Sequence, residues 1–322
     1  LKELLENSLD AGATDITVQD STVNAGGTLN ATATNDLNVI ANSVASSVIS
    51  GGLQTISANG ITVQGAASGS NLNAQITGSG GQNITAGSGG IAILGGIGAA
   101  TNGANISNLG TAQTIVVNNA ASVSVVAQTG SAGINSSGSQ TLTLQGASSA
   151  NALTVGAATS ANVSFISGNN QLVTAGTAGQ LGSITVVGGA AAAMNAGIFN
   201  NSGTQTVSTS GTLSLTGGSA TGTGSTCNPA FGSGSCADIN NNGVGLQTVS
   251  ANAIQLQGGG GGVSNGAGIF VNGGQVRDLV IGLLGACGIA RFPPGCPPRE
   301  RFQRAVGKDD GPHGQRQLPP PR

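Results

Sequence analysis

The acidic and basic side chains that could do acid–base chemistry lie at the two ends of this chain. It has 11 Asp and Glu, 9 Lys and Arg and 1 His, and none of them falls between Asp36 and Asp238. A serine or cysteine nucleophile needs a neighbouring base, but the histidine, His313, stands in the C-terminal tail. Glycoside hydrolysis needs two carboxyl groups that face one bond, and Asp238 and Asp278 are poorly placed for it, one beside an insertion and the other where the repeat fails. We therefore predict a binding or scaffolding protein, not an enzyme, with no cofactor.

The four cysteines form two close pairs, Cys227 with Cys236 and Cys287 with Cys296. Neither pair has the CxxC spacing of a zinc site, and we predict no metal site. Local disulfides in an exported protein and unpaired thiols both agree with this spacing. These four residues are therefore candidate disulfide cysteines.

The composition of the middle of the chain predicts β structure built from small residues. The chain of 322 residues has 57 Gly, no Trp or Tyr and only 6% charged residues. A mean hydropathy of +0.16 argues against disorder, which usually combines low hydrophobicity with high net charge. No apolar run is long enough to cross a membrane as a helix, so we predict no membrane span. Aromatic platforms for sugars or bases are not expected, and coils without ionisable groups predict folding that scarcely depends on pH.

A unit of the form Gly-x-Gln-Thr-(Ile/Val) recurs about every 30 residues. The residue two places after each Gln is apolar in seven units, from Ile56 to Val249, but is Arg277 in the eighth. The repeat is therefore expected to lose its core position at Arg277 and to end near residue 285. The Gln residues stand at positions 54, 82, 113, 140, 171, 205, 247 and 275.

Two further elements follow each Gln, and together they predict one coil of a parallel β-helix. The first alternates apolar and small residues, as in Ile61-Thr-Val63 and Leu213-Ser-Leu215, and this period of two marks a strand with one buried face. The second leads into the next Gln, as in Ala196-Gly-Ile-Phe199. Identical amides stacked coil on coil can form hydrogen-bonded ladders, which favours a solenoid over a sandwich of hairpins. Residues 219–239 do not fit the unit and are predicted to be an inserted loop.

These repeats resemble those of filamentous-haemagglutinin-like bacterial exoproteins, over about residues 21–285. The stretches that carry the resemblance include GTQTVSTSGTLSLTGGSATG at 203–222 and GLQTVSANAIQLQGGGGG at 245–262. The resemblance implies a right-handed parallel β-helix that serves as the stalk or binding surface of a secreted or cell-surface adhesin. It also implies a host or cell-surface ligand and an outer-membrane export partner.

The first 20 residues resemble a different family. LKELLENSLDAGATDITVQ is similar to the opening helix motif of MutL-type mismatch-repair ATPases. The resemblance implies that Glu3 activates water as a general base and that Asn7 holds Mg²⁺ beside ATP. The adenine-binding and Gly-rich lid segments that a triphosphate site needs have no counterpart in the sequence. The alternative function, a fragment of such an ATPase, therefore depends on these residues alone. The other interpretations are an amphipathic helix over 1–20 that caps the solenoid and a stretch that comes from a misassembled or fused reading frame.

The last segment, residues 286–322, is rich in Pro and Arg and cannot continue a strand ladder. We predict a disordered tail there and no nucleic-acid partner. The chain begins with Leu1 and its methionine is Met194, so we interpret it as a fragment.

Overall fold

The computed structural model describes residues 14–119, 121–146, 151–177, 179–190, 194–219, 235–260, 265–271 and 276–281, the last range by its backbone alone. These ranges contain no helix, and their regular structure is β-strand throughout. The strands, in chain order, are β1 (Ile16–Gln19), β2 (Thr22–Ala25), β3 (Leu29–Thr32), β4 (Asp36–Ile40), β5 (Ser46–Ser50), β6 (Gln54–Gln64), β7 (Ala74–Gly78), β8 (Gln82–Leu94), β9 (Ala104–Asn108), β10 (Ala112–Val117), β11 (Val123–Val126), β12 (Ala132–Leu144), β13 (Asn151–Val155), β14 (Ser164–Ala175), β15 (Gly182–Val187), β16 (Ala196–Thr209), β17 (Thr212–Thr216), β18 (Ala237–Asn241), β19 (Gln247–Ala251), β20 (Ala253–Gln257), β21 (Ala267–Val271) and β22 (Val276–Ile281).

The strands wind into a parallel β-solenoid with three faces, which confirms the predicted repeat architecture. Each strand pairs in parallel with the strand one coil before it and one coil after it. Five long strands, β6, β8, β12, β14 and β16, bend round a corner and contribute to two faces. The handedness of the coil stays a prediction.

We name the faces by their strands. Face A consists of β1, β4, the second halves of β6 and β8, β11, β13, β15, β17 and β20. Face B consists of β2, β5, β7, β9, the first parts of β12, β14 and β16, β18 and β21. Face C consists of β3, the first halves of β6 and β8, β10, the second parts of β12, β14 and β16, β19 and β22.

The core is built from columns of aliphatic side chains, because alternate residues of every strand point inward. Ile56, Ile84, Ile115 and Leu142 occupy one column of face C in consecutive coils, as the repeat predicts. Each of these four side chains is at most 1% exposed. Burying such a side chain stabilises the fold by about 1.5–3 kcal/mol relative to leaving it in water. The apolar stacks therefore supply most of the stability of the coils.

The glutamine that recurs once in each coil produces an unbroken amide ladder inside the solenoid, next to the face C column. Nε2 of Gln82 donates to Oε1 of Gln54 at 2.7 Å, and five further bonds of 2.7–2.8 Å continue the ladder to Gln247. The second hydrogen of each amide from Gln82 to Gln205 reaches a backbone carbonyl of face B. The predicted ladder is confirmed over seven glutamines, and Gln275 lies outside the described residues.

The predicted helix over residues 1–20 is wrong where the structure describes it. Ile16–Gln19 form β1, which pairs in parallel with β4. Ile16 and Val18 stand opposite Leu37 and Val39, so this stretch carries the same two-residue apolar period as the repeat. Its strand pairing outweighs the helical spacing of the leucines before it. Residues 1–13 lie outside the described residues.

Near the C-terminal end the register differs from the prediction. A shift between Gln247 and Thr248 places Leu279, not Arg277, opposite Val249. The position opposite Val249 is thus still occupied by an apolar residue, and the solenoid continues through Ile281. Of the predicted insertion 219–239, residues 220–234 lie outside the described residues, while Ala237 already begins β18. The segment Gly285–Arg322, which includes the predicted tail, also lies outside them.

Candidate functional site

The outer surface of face B carries an aromatic patch that we call the face B patch, formed by Phe165, Phe199, Asp238, Asn240 and Phe270. Phe165 lies opposite Gly133 in the neighbouring coil, and its ring covers that glycine, where a Cβ atom would overlap the ring. Phe199 and Phe270 fold back along their own strands, so that their rings cover Gly197 and Gly268. All three rings are partly exposed. Glycine is required at the covered positions because any side chain would displace a ring.

Asp238 lies at the centre of this patch. In the register of face B it stands opposite Gly197 on one side and Gly268 on the other, the two glycines that the rings of Phe199 and Phe270 cover. The carboxyl group is therefore flanked by an aromatic ring in the coil before it and another in the coil after it. Strands such as β7 and β13 alternate between buried and partly exposed positions, but all five residues of β18 are buried. Asp238 is 1% exposed although it belongs to the outer row.

Two acceptor atoms in the patch have no hydrogen-bond partner. These are Oδ1 of Asp238 and Oδ1 of Asn240, both buried. The amide nitrogen of Asn240 is engaged, since it donates to Oδ1 of Asn242 at 2.8 Å. Burial raises the pKa of the Asp238 carboxyl to about 7, because removal from water disfavours the charged form. The patch thus combines aromatic walls with unsatisfied oxygen acceptors, one of them ionisable near neutral pH.

Sequence reasoning missed this patch, and the expectation of no aromatic platform is corrected. The three phenylalanines are separated by 34 and 71 residues along the chain, and their common face appears only when the coil registers are known. Asp238 itself was noted in the sequence, but as a neighbour of the insertion. The signal that points to it is the match of ADINN at 237–241 to the AGIFN of β16, which places an acid where another coil has glycine.

The sequence-predicted site residues do not converge. Glu3, Asn7, Cys227, Cys287 and Cys296 all lie outside the described residues. Cys236 is buried and disulfide-bonded, but its partner is not among the described residues, so the predicted pairing stays a prediction. Asp238 belongs to face B and Asp278 to face C, so these two positions do not share a face. Within the described ranges no three His, Cys, Asp or Glu residues lie together as a metal site.

A second carboxylate with a perturbed pKa serves the fold at the N-terminal end. The backbone amides of Val44, Asn42 and Ser43 and the hydroxyl of Ser43 all donate to Asp20, at 2.7–3.0 Å. These bonds, led by that from Val44, lower the pKa of Asp20 to about 2. Every donor comes from the turn of the adjacent coil, so Asp20 fastens two coils together and is already satisfied.

The corner between faces C and A holds an open groove of uncharged polar groups. It is lined by hydroxyl and amide side chains, among them Thr174, Thr177, Gln180, Ser208 and Asn252. The lining residues include no ionisable or aromatic side chain. The groove can offer hydrogen bonds to a polar ligand, but the face B patch alone combines charge, burial and aromatic surface among the described residues.

The described residues include no helix suited to crossing a membrane. The candidate binding features of these residues are an aromatic patch with a buried carboxyl group on face B and a groove lined by hydroxyl and amide groups. Comparison with known proteins adds no function to this picture, because no family model, no curated protein and no solved structure matches the chain.

Proposed function

We propose that this chain is a stalk segment and binding surface of a secreted or cell-surface bacterial exoprotein of the adhesin type. The observation that carries the proposal is the unbroken amide ladder through seven coils. Such a ladder repeats the same hydrogen bond from coil to coil. A repeated bond of this kind suits a stalk, which is lengthened by adding coils and offers its outer faces for binding. The proposal includes an outer-membrane export partner and a ligand on the host or on another cell.

The source of stability in the coils also supports an extracellular role. Between Leu37 and Ala237 the chain carries no charged side chain, so the coils depend on apolar stacking and on hydrogen bonds. Neither contribution is screened by salt in the way that surface ion pairs are. A protein outside the cell meets variable salt concentrations, and this composition is indifferent to them.

The described residues favour binding over catalysis. Glycoside hydrolysis needs two carboxyl groups that face one bond. The other acids of the described ranges are Asp15, Asp20 and Asp36 in the first coils and Asp278 on face C, so none of them stands beside Asp238 on face B. The end of the MutL-like stretch, Ile16–Gln19, pairs within the solenoid and therefore belongs to the repeat. These two observations weigh against a hydrolase and against an ATPase fragment, and they support a non-catalytic role.

Protease treatment of intact cells tests this proposal directly. Cells that produce the protein would be treated with proteinase K and blotted with an antibody to residues 54–260, with a cytoplasmic protein as the control. We expect digestion or release of the chain while the control protein stays intact. Protection of the chain in intact cells, with digestion only after lysis, would contradict a surface location.

A further inference from the structure

The face B patch contains the one charged side chain that the described residues place between Leu37 and Gly260. A carboxyl group in such a position is normally paired or fully hydrogen-bonded, because an unpaired buried charge is costly. Asp238 is 1% exposed, and its Oδ1 atom has no donor. Oδ1 of Asn240, two residues along the same outer row, lacks a donor as well. The patch therefore supplies two acceptors and calls for a ligand that supplies donors.

The walls of the patch further restrict the class of ligand. The rings of Phe199 and Phe270 cover the two glycines that flank Asp238. These two coils are separated by two strand spacings, or roughly 9–10 Å. A flat cation can lie against an aromatic face and gain a cation–π interaction. Among biological cations, the guanidinium group of arginine is planar, stacks on aromatic rings and presents several N–H donors in one plane.

We propose that the face B patch binds an arginine side chain of a protein partner, with the guanidinium group donating to Asp238 and Asn240 between Phe199 and Phe270. This inference names the partner chemistry of the binding surface proposed above, and it rests on that proposal. Asp238 binds in its ionised form, so the raised pKa of its carboxyl makes binding stronger as the pH rises through about 7. No described side chain of β16 or β21, the strands on either side, is titratable.

Other ligand classes fit the patch less well. A metal ion would find one carboxylate and one amide oxygen, and the described residues hold no cluster of three metal-ligating side chains. A sugar both donates and accepts hydrogen bonds, whereas the two free groups of the patch are acceptors. A guanidinium group only donates, and it carries the compensating charge.

In this proposal the ligand reaches the carboxyl group when one phenylalanine side chain rotates and the other ring stays in place. Phe199 and Phe270 are partly exposed, so either ring can turn outward without breaking a strand pairing. Rotation uncovers Gly197 or Gly268, whose lack of a side chain leaves room beside Asp238.

The test is an NMR titration of the full chain with the peptide Gly-Arg-Gly at pH 8. The matched ligand control is Gly-citrulline-Gly, which has nearly the same shape and no charge. We expect saturable shifts of the amide signals of Gly197, Ile239 and Gly268 with the arginine peptide and no saturation with citrulline. Gly-Lys-Gly should bind more weakly, and affinity for arginine should fall at pH 5, where Asp238 is protonated.

Two variants make the titration decisive. Asp238→Asn keeps the size of the side chain and should weaken arginine binding by at least about tenfold, since a charge-assisted bond is lost. Gln75→Asn alters the outer row of face B in an early coil, outside the patch, and should bind as the parent does. Equal binding of arginine and citrulline, unchanged affinity in Asp238→Asn, or no saturation at pH 8 would each overturn the inference. These results are independent of protease accessibility on cells, so failure here and failure of the stalk proposal are distinguishable.

Discussion

At the scale of single residues, the buried glutamines and the two acids with shifted pKa values differ in how completely their polar atoms are hydrogen-bonded. Each glutamine in the ladder satisfies both of its neighbours, so its side chain is buried without an unpaired atom until the ladder reaches Oε1 of Gln247. Asp20 is fully bonded to the turn of the next coil, whereas Asp238 is buried with an unpaired oxygen. Substitution of a glutamine therefore tests the loss of a satisfied hydrogen bond, whereas titration of Asp238 tests a group that is already unsatisfied.

Replacing Gln140 by methionine should destabilise the protein. Methionine keeps the length of the side chain but leaves Oε1 of Gln113 without its donor and Nε2 of Gln171 without its acceptor in the ladder. Each unsatisfied buried group costs about 1–3 kcal/mol, so we expect a loss of roughly 2–4 kcal/mol in the free energy of unfolding, measured by urea denaturation. Gln64→Met, on the partly exposed outer row of face A, is the control and should stay within about 0.5 kcal/mol. Equal losses would show that the ladder contributes nothing of its own.

Asp238 should make stability depend on pH, which corrects the expectation of pH-independent coils for the coil that contains β18. Its folded pKa of about 7 lies above the ordinary aspartate value of 3.8, so the folded protein holds the proton more tightly. The free energy of unfolding should therefore fall as pH rises from about 4 to 7, by a few kcal/mol at most. The Asp20 contribution has the opposite sign and a lower window: it is present above pH 4 and is lost as pH falls towards its folded pKa of about 2.

Thermal melting between pH 4 and pH 8 measures this effect. The parent protein should melt at a lower temperature as pH rises, and Asp238→Asn should remove most of that slope. A variant whose melting temperature follows the same slope as the parent would show that another group is responsible.

At the scale of the strand, the two sides of each face should respond differently to a charge. Leu213 is fully buried in the face A core, and its neighbour Ser214 is partly exposed on the outer row. Leu213→Asp places an unpaired carboxylate in the core and should cost several kcal/mol, on the order of 3–5. Ser214→Asp should be nearly neutral. Thermal melting of both variants is the measurement, and similar losses would mean that the faces are assigned incorrectly.

The sequence anticipates the strands better than the surfaces they form. The apolar period of two and the glutamine spacing predict the columns from Ile56 onward and the ladder, because both depend on a single coil repeated. The prediction fails for Ile16–Gln19, where a helical leucine pattern precedes the strand, and at Leu279, where a register shift replaces Arg277. The repeat pattern does not predict a register shift of one residue. It also does not predict which phenylalanines from separate coils lie on a common face, because both depend on how the coils pair.

At the scale of the molecule, the coils should behave as interchangeable units. Deletion of residues 54–81 removes one coil and joins Leu53 to Gln82, which stands in the register position of Gln54. Since stability in repeat proteins is roughly a sum over units and their interfaces, this deletion should lower the unfolding free energy and keep a cooperative transition. Deletion of residues 54–67 breaks the register and should abolish it. Circular dichroism melts of the two deletions compare these outcomes, and equal damage would contradict independent coils.

The direction of the amide ladder gives the coils, which carry almost no charged side chains, an electrical polarity. In all six ladder bonds the amide of the later coil donates to the oxygen of the earlier one, so the N–H groups point towards the N-terminal coils. Seven aligned amide dipoles add along the stack, as peptide dipoles add along a helix. The free oxygen of Gln247 is the negative pole of this array. Removing any of the five glutamines between Gln54 and Gln247 would divide a single long dipole into two shorter ones, and electro-optical alignment of the protein in a field would report the difference.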